Sequence, residues 1–416
     1  VLLPVLLLVF AIVPAVLFAY GTEPSWAAHG PRGLELILWA HRFQWPLVML
    51  SVVLCIGLGV AVIAKKSSVV WLLGLLPVLF LFAHKYTDGP AKGLYCQQDP
   101  ALVSAADVPV GDANELVVGV VLDSQPYAFF YSALHRTPVV VASVRDRRMA
   151  LFWSEYANRA QVFTTARDFR ADDLEVVCSP DNALLVYNTR LGQFINGVTG
   201  LTLSGQIPTG LLEPIPVIKT TWQAWDAAHP DTRVMQGSDA GFTQPLQPRF
   251  AMPGTDPAIS DTRHICVVAA TQPIAVPSEA IGTRPLNLTS GLTSLLLVRV
   301  NGVVRAFNRE LPGDLVPRFA PGSDAKHKNV AWVDSDTNAG WSSAGAEVDG
   351  PQEMHGLVMS PIPVEEDLYW NVMKFWYPQL HLASDAEIAA ATVVKSPKPV
   401  VVKTPARRRR SVPRGN

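Results

Sequence analysis

The sequence predicts a membrane-anchored protein in which three N-terminal transmembrane helices precede a mainly β, antiparallel soluble part made of two related lobes with short helices. Three observations predict it. Apolar runs of bilayer-spanning length are confined to the first 85 residues. The rest of the chain is cut by turn residues into short segments rich in β-branched side chains. One pattern of glycine, tryptophan and proline intervals also occurs twice.

The spans are expected at residues 2–20, 45–64 and 69–83, the third reaching full length only if its flanking residues snorkel. The first run reads as a span and not as a cleaved leader. Two further apolar runs follow it, and Gly21–Gly33 offers no small-residue cleavage site. Lys65 and Lys66, in the tight connection between the second and third spans, place that connection in the cytoplasm by the positive-inside rule, so the soluble part emerges outside. Arg32 and Arg42 in the preceding loop pull the other way. His41 and Arg42 are expected as interfacial anchors at the head of the second span, with Trp39, Trp45 and Trp71 in the aromatic belts.

Residues 85–110 read as a linker, 111–237 as the first β lobe, 238–262 as a second linker, 263–385 as the second lobe and 386–416 as a disordered basic tail ending in Arg407–Arg410. Leu116–Leu122, Pro138–Val144 and Leu174–Cys178 have strand composition, and helices are expected at Thr221–Ala228 and Tyr369–Phe375, each closing before a proline. When those two helices are superposed the repeat emerges. The interval from Gly200 to Gly205 matches that from Gly345 to Gly350, and Trp222 to Pro230 matches Trp370 to Pro378. The segments "GLLEPIPVIKTTW" and "GLVMSPIPVEEDLYW" lead into the two helices.

Composition and motifs exclude several functions. A net charge of −1 gives no global grip on nucleic acid. There is no P-loop, GxSxG, HExxH, EF-hand or dinucleotide fingerprint, so no nucleotide cofactor is expected. Without CxxC or CxxCH the chain builds neither a zinc ribbon nor a covalent haem site. Cys55 falls in an apolar run, and among Cys96, Cys178 and Cys266 a Cys96–Cys178 or a Cys178–Cys266 bridge is open.

From about Asp107 to Asp385 the chain resembles the bacterial family called domain of unknown function 3179. The resemblance rests on "PYAFF" with His135 downstream, on "NTRLGQFINGVTGLTLSG", and most specifically on "TTWQAWDAAHPDTRV". Because that family is bacterial, the spans and the positive-inside reading amount to an expected bacterial cytoplasmic (inner) membrane location with the β part on the periplasmic or outer side. Many members carry a CPLC thiol pair where this chain has "PVVVASVRDRR", so the resemblance carries no thiol-dependent chemistry over to it. Asn188 stands where the family has an acidic residue and Ile195 where it has Trp. Asp334, Thr337 and Trp341 keep that pattern in the second copy.

His135 and His229 occupy positions the family also gives to histidine, and Asp226 lies one helical turn before His229. Imidazole beside carboxylate can hold a metal or move a proton, although a metal needs a third ligand that the sequence does not show. The bland reading is that His229 closes its helix. Trp222 and Trp225, with Trp370 and Trp376, line either an aromatic groove or a core. Asn188, Asp334 and Trp341 are further ligand-binding candidates, as are Arg145, Arg147 and Arg148, which offer an anion site or an exposed hairpin turn. His327, Asp334, Asp336 and His355 have no ligand spacing and read as a solvated loop. The expected function is a membrane-tethered binding or scaffold module, whose partners are the lipid bilayer and membrane-complex subunits. The alternative is a metal-dependent or acid/base enzyme using His135, Asp226 and His229.

Overall fold

The computed structural model describes residues 2–64, 68–109, 113–145, 147–237, 242–252, 259, 263–322 and 330–393. Lys65, Lys66, Asp146, His327 and Arg407–Arg410 lie outside the described residues.

The chain opens with α1 (Leu2–Tyr20), a 3-10 turn (Pro24–His29), α2 (Pro31–Arg42), α3 (Gln44–Ile63) and a 3-10 turn (Val69–Gly74) running into α4 (Leu75–Asp88). Leu2–Tyr20, Gln44–Ile63 and Val69–Asp88 are long and apolar enough to cross a membrane. The third continues past the expected end at Ala83 to Asp88, so it reaches full length by itself. Ala11, Ala15 and Ala19 of α1 pack with Val78 and Leu81 of α4. The Ser51 hydroxyl of α3 donates to the Ala11 carbonyl at 2.8 Å. Small side chains at the crossing let the backbones approach.

His41 and Arg42 do not begin the second span. Phe43 breaks the helix between them and α3, and both close α2 instead. Together with Ala27 and Ile37 they dock on the strands β8 (Leu174–Cys178), β9 (Leu185–Asn188) and β10 (Gln193–Asn196). His41 Nε2 lies 3.3 Å from Glu175 Oε2, its ring meets Tyr187 edge-on at 5.0 Å, and Arg42 Nη2 donates to the Gly192 carbonyl at 3.4 Å. The aromatic neighbours explain why His41 is 7% exposed.

The β part starts inside the expected linker. β1 (Cys96–Gln98) and β2 (Val103–Ser104) both join sheets, which overturns the reading of residues 85–110 as a plain connection. β3 (Leu116–Leu122) and β4 (Gln125–Phe130) form a hairpin whose two turn residues, Asp123 and Ser124, have φ of 50° and 63°, the left-handed pair that two-residue hairpin turns require. α5 (Tyr131–Leu134) leads to the meander β5 (Val139–Val144), β6 (Arg147–Ser154) and β7 (Arg159–Thr165), then to β8–β10. β11 (Leu211–Ile215), β12 (Val217–Thr221), α6 (Trp222–Ala228) and β13 (Arg233–Met235) complete this stretch. The sheets run β1-β5-β6-β7-β11, β10-β9-β8 and β12-β3-β4-β13-β2. β13 is parallel to β4, whereas β12, β3 and β4 are antiparallel.

The later strands are β14 (His264–Val268), β15 (Ile274–Pro277), β16 (Leu286–Ser290), β17 (Thr293–Val300), β18 (Val303–Asn308), β19 (Phe319–Pro321), β20 (Trp332–Asp334), β21 (Gly340–Trp341), β22 (Glu347–Asp349), β23 (Ser360–Ile362) and β24 (Val364–Tyr369). α7 (Trp370–Trp376), β25 (His381–Leu382) and α8 (Asp385–Thr392) follow. Their sheets run β24-β14-β15-β25, β16-β17-β18-β23 and β19-β20-β21-β22. β25 is parallel to β15, whereas β24, β14 and β15 are antiparallel. α8 is fixed by a capping box between Ser384 and Glu387, so the expected disordered tail starts with a capped helix; residues 394–416 lie outside the described ones.

The chain divides into two compact units. The first comprises Val1–Ile281, Arg299–Arg305 and Ile362–Ala383, and the second Gly282–Val298, Ala306–Pro361 and Ser384–Asn416. These bounds differ from lobes at 111–237 and 263–385, because β14, β15, β24, α7 and β25 belong with the first unit. The physical reason is a shared core in which Ile265, Leu368, Trp370 and Met373 pack with Ala157 and Val198. All four cysteines are free, so neither bridge forms; Cys178 and Cys266 are buried and burial holds both thiols protonated.

Candidate functional site

The two nominated histidines lie against opposite faces of one sheet. On β3 the side chains alternate, with Val118 and Val120 in a core that holds Phe129, Leu134 and Trp153, and Val117 in another that holds Phe130, Trp222 and Trp225. His135, at the end of α5, belongs to the first side. Its ring meets Trp153 edge-on at 4.7 Å, and Nε2 lies 2.9 Å from the Gln244 carbonyl. Burial lowers its pKa. His229 belongs to the other side, its ring tilted against Trp225 at 4.3 Å, as the C-cap of α6. Burial lowers its pKa too. The sheet therefore lies between His135 on one side and Asp226 and His229 on the other. Among the described residues no three His, Cys, Asp or Glu side chains gather as a metal set.

The remaining nominees build structure. Trp222 and Trp225 are core residues, 6% and 2% exposed. Trp225 Nε1 donates to Thr232 Oγ1 at 2.9 Å, and its ring lies where a Cβ on Gly119 would stand, 2.2 Å from Cζ3. Asn188 Oδ1 accepts from the Leu191 amide at 2.9 Å. Asp334 Oδ2 accepts from the Thr337 amide at 3.1 Å, its other oxygen taking the Arg318 amide at 3.0 Å, so the loop through Asp334 and Asp336 is a folded turn. Trp341 is fully buried, edge-on to Phe319 at 5.6 Å. His355 Nε2 is 2.9 Å from the Gly350 carbonyl. Arg145, with φ of 51°, makes the β5–β6 turn, while Arg147 pairs with Asp123 at 3.5 Å and Arg148 donates to the Arg167 carbonyl at 2.6 Å.

A different site, which none of the nominated residues marks, lies where β12 and β24 pack together within the first unit. Lys219 on β12 and Glu365 on β24 are both buried. Lys219 Nζ is 3.4 Å from Glu365 Oε1 and donates to the Asn158 carbonyl. Burial lowers the Lys219 pKa, and the Glu365 charge opposes that shift. Glu365 Oε1 also accepts the Ala160 amide at 3.1 Å, and Oε2 pairs with the Arg159 guanidinium. Asn158 is tied in turn, its Oδ1 accepting from the Tyr131 hydroxyl at 2.8 Å and its Nδ2 donating to the Asp367 carbonyl at 2.8 Å. Glu366 faces away toward Arg299, 2.8 Å distant.

This charge network floors a cleft. One cavity of about 270 Å³ is walled by Pro214, Ile215, Pro216, Val267, Pro363 and Val364, with Arg159, Gln161 and Glu365 as its polar groups. A second, of about 110 Å³, shares Arg159, Val267 and Ala269 and extends to Met373 and Tyr377. Arg159 Nε has no hydrogen-bond acceptor.

Elsewhere in this unit, on the loop between β6 and β7, burial pushes the Glu155 carboxyl up to about 7 against the Tyr156 hydrogen bond and the Arg249 charge. The folded state therefore holds the proton more tightly than the unfolded chain. Glu155 adds stability below its ordinary value of 4.5 and loses it as pH rises through about 7. Between pH 4 and pH 8 the wild type should lose on the order of 2 kcal/mol relative to Glu155→Gln, after discounting for solvent screening. Urea unfolding of both proteins at the two pH values measures it.

The family model described as "Protein of unknown function (DUF3179)" matches residues 97–380. No curated protein matches, and no solved structure matches. The matched segment takes in the β3–β4 hairpin, both tryptophan-bearing helices and every residue of the cleft, and leaves out the three apolar helices. The chain belongs to the DUF3179 family of proteins of unknown function.

Proposed function

We propose that this protein is a membrane-tethered, extracytoplasmic binding or scaffold module of the bacterial inner membrane, its β part built from two copies of one unit and offered to membrane-complex subunits. The observation that carries the non-catalytic reading is the placement of His135 and His229 on opposite faces of the β3–β4 sheet. The segment that replaces the family's thiol pair adds to it, since residues 138–148 contain no cysteine.

Three correspondences support the repeat. The sheets β12-β3-β4-β13 and β24-β14-β15-β25 share order and direction, and β5-β6-β7-β11 has the same order as β16-β17-β18-β23. The turns at Asn188 and Asp334 are alike, each side chain accepting the amide three residues on and each carbonyl the amide four residues on. Gly200 and Gly345 both have positive φ, and a Cβ on either would strike a phenylalanine, Phe163 of β7 or Phe307 of β18.

The tether reading rests on the three helices, and outward orientation on Lys65 and Lys66. Arg42, which argued against that orientation, is engaged by the β part.

Metal analysis of the purified full chain beside His135→Ala and His229→Ala tests the function. All three proteins should carry the same background metal. Stoichiometric metal in the wild type that is lost from either variant would replace the scaffold reading with the enzyme built on His135, Asp226 and His229.

A further inference from the structure

We propose that the cleft beside Arg159 binds a small carboxylate with an apolar body of roughly ten non-hydrogen atoms, scaled from a 150 Å³ apolar cavity that holds benzene. This deepens the binding-module reading and rests on it. The size follows from the 270 Å³ cavity, and the apolar body from walls of proline, isoleucine and valine.

The charge follows from how Glu365 is compensated. Its Oε1 faces Lys219 and accepts the Ala160 amide, so the lysine behind the cleft already balances this carboxylate without help from Arg159. Arg159 meets the remaining oxygen, Oε2, and the Tyr377 side chain, and its buried Nε has no acceptor. The other two carboxylates of β24 are turned elsewhere, Glu366 to Arg299 and Asp367 to His264 at 3.8 Å. Arg159 and Glu365 are the charged groups of the lining, and the guanidinium lines both cavities. A planar guanidinium beside hydrocarbon walls suits a carboxylate head. An ammonium ligand would meet Arg159 head-on and find the Glu365 oxygens already occupied.

Benzoate and its uncharged counterpart benzamide are the probes, titrated by calorimetry into the detergent-solubilised full chain. Two variants accompany them. Arg159→Met removes the charge while Lys219 still balances Glu365. Ala269→Trp fills the shared rim from an exposed position, outside the core.

Benzoate should bind saturably, benzamide and Arg159→Met should each weaken binding at least 10-fold, and Ala269→Trp should abolish it at an unchanged melting temperature. Absence of saturable benzoate binding overturns the proposal, as does benzamide binding equally well or undiminished binding in Ala269→Trp. Should Arg159→Met fail to fold, benzamide and Ala269→Trp decide. Failure here leaves the metal comparison untouched, because neither histidine lines the cleft.

Discussion

Glu365→Ala is expected to destabilise the first compact unit by about 3–5 kcal/mol, the cost of leaving one partner of a buried pair uncompensated. Lys219 is 5% exposed and, without Glu365, keeps among the described residues only the Asn158 carbonyl as a hydrogen-bond acceptor. Arg159 loses its pairing oxygen at the same time. The double variant Lys219→Met, Glu365→Leu should recover most of the loss, since well-packed apolar residues of similar volume often replace a buried ion pair at little cost. Denaturant unfolding of the solubilised protein measures both. A single variant as stable as the wild type would mean that water or a shifted proton already relieves Lys219.

The second large effect is expected at Gly119. A Cβ there would stand 2.2 Å from Trp225 Cζ3, with two further ring atoms within 2.6 Å. Neither the strand nor the ring can yield easily, because β3 is hydrogen-bonded on both sides and Trp225 is held by Thr232. Gly119→Ala should cost about 3 kcal/mol, at the upper end of overpacking costs. Trp225→Ala alone should cost about 3–5 kcal/mol through the lost ring and the cavity left behind. In the Trp225→Ala background, however, Gly119→Ala should cost less than about 1 kcal/mol, since the group it strikes is gone. Such strong non-additivity is the signature of direct contact. Additive losses would place the Gly119 requirement in the backbone.

Much of this architecture was legible in the sequence because it depends on local pattern. Span length is a count of apolar residues, and Trp222 and Trp370 each follow a strand and begin a helix that stops at a proline. What was not legible depends on distant pairing. His41 and Arg42 resembled the charged head of a span because they adjoin the apolar run, although Pro46, three residues past the break at Phe43, marks the first turn of a new helix. β1 and β2 are short strands that pair with residues far along the chain, Val139 and Arg233 among them.

The cleft escaped for the same reason. Glu365, Glu366 and Asp367 look like a solvated acidic run, and Lys219 like the exposed residue of an alternating strand. Only the packing of β12 against β24 brings Lys219 and Glu365 together in the interior. One signal was present. The two "PIPV" segments are followed within two residues by a lysine in the first and by glutamates in the second, opposite charges at matched places. For His135 and His229 no pattern in the chain tells on which face of the intervening sheet each will fall.

The central claim, a β part held outside the membrane by three helices, is tested most directly by labelling right-side-out membrane vesicles with an impermeant maleimide. Cys55 and Cys96 are replaced by serine, while Cys178 and Cys266 are buried. Single cysteines are then placed at Leu292, 92% exposed in the β16–β17 turn, and at Lys66 in the connection between the second and third helices. Leu292→Cys is expected to be labelled in intact vesicles and Lys66→Cys only after permeabilisation; the reverse pattern, or equal labelling of both before permeabilisation, would rule out a β part held on the outer side.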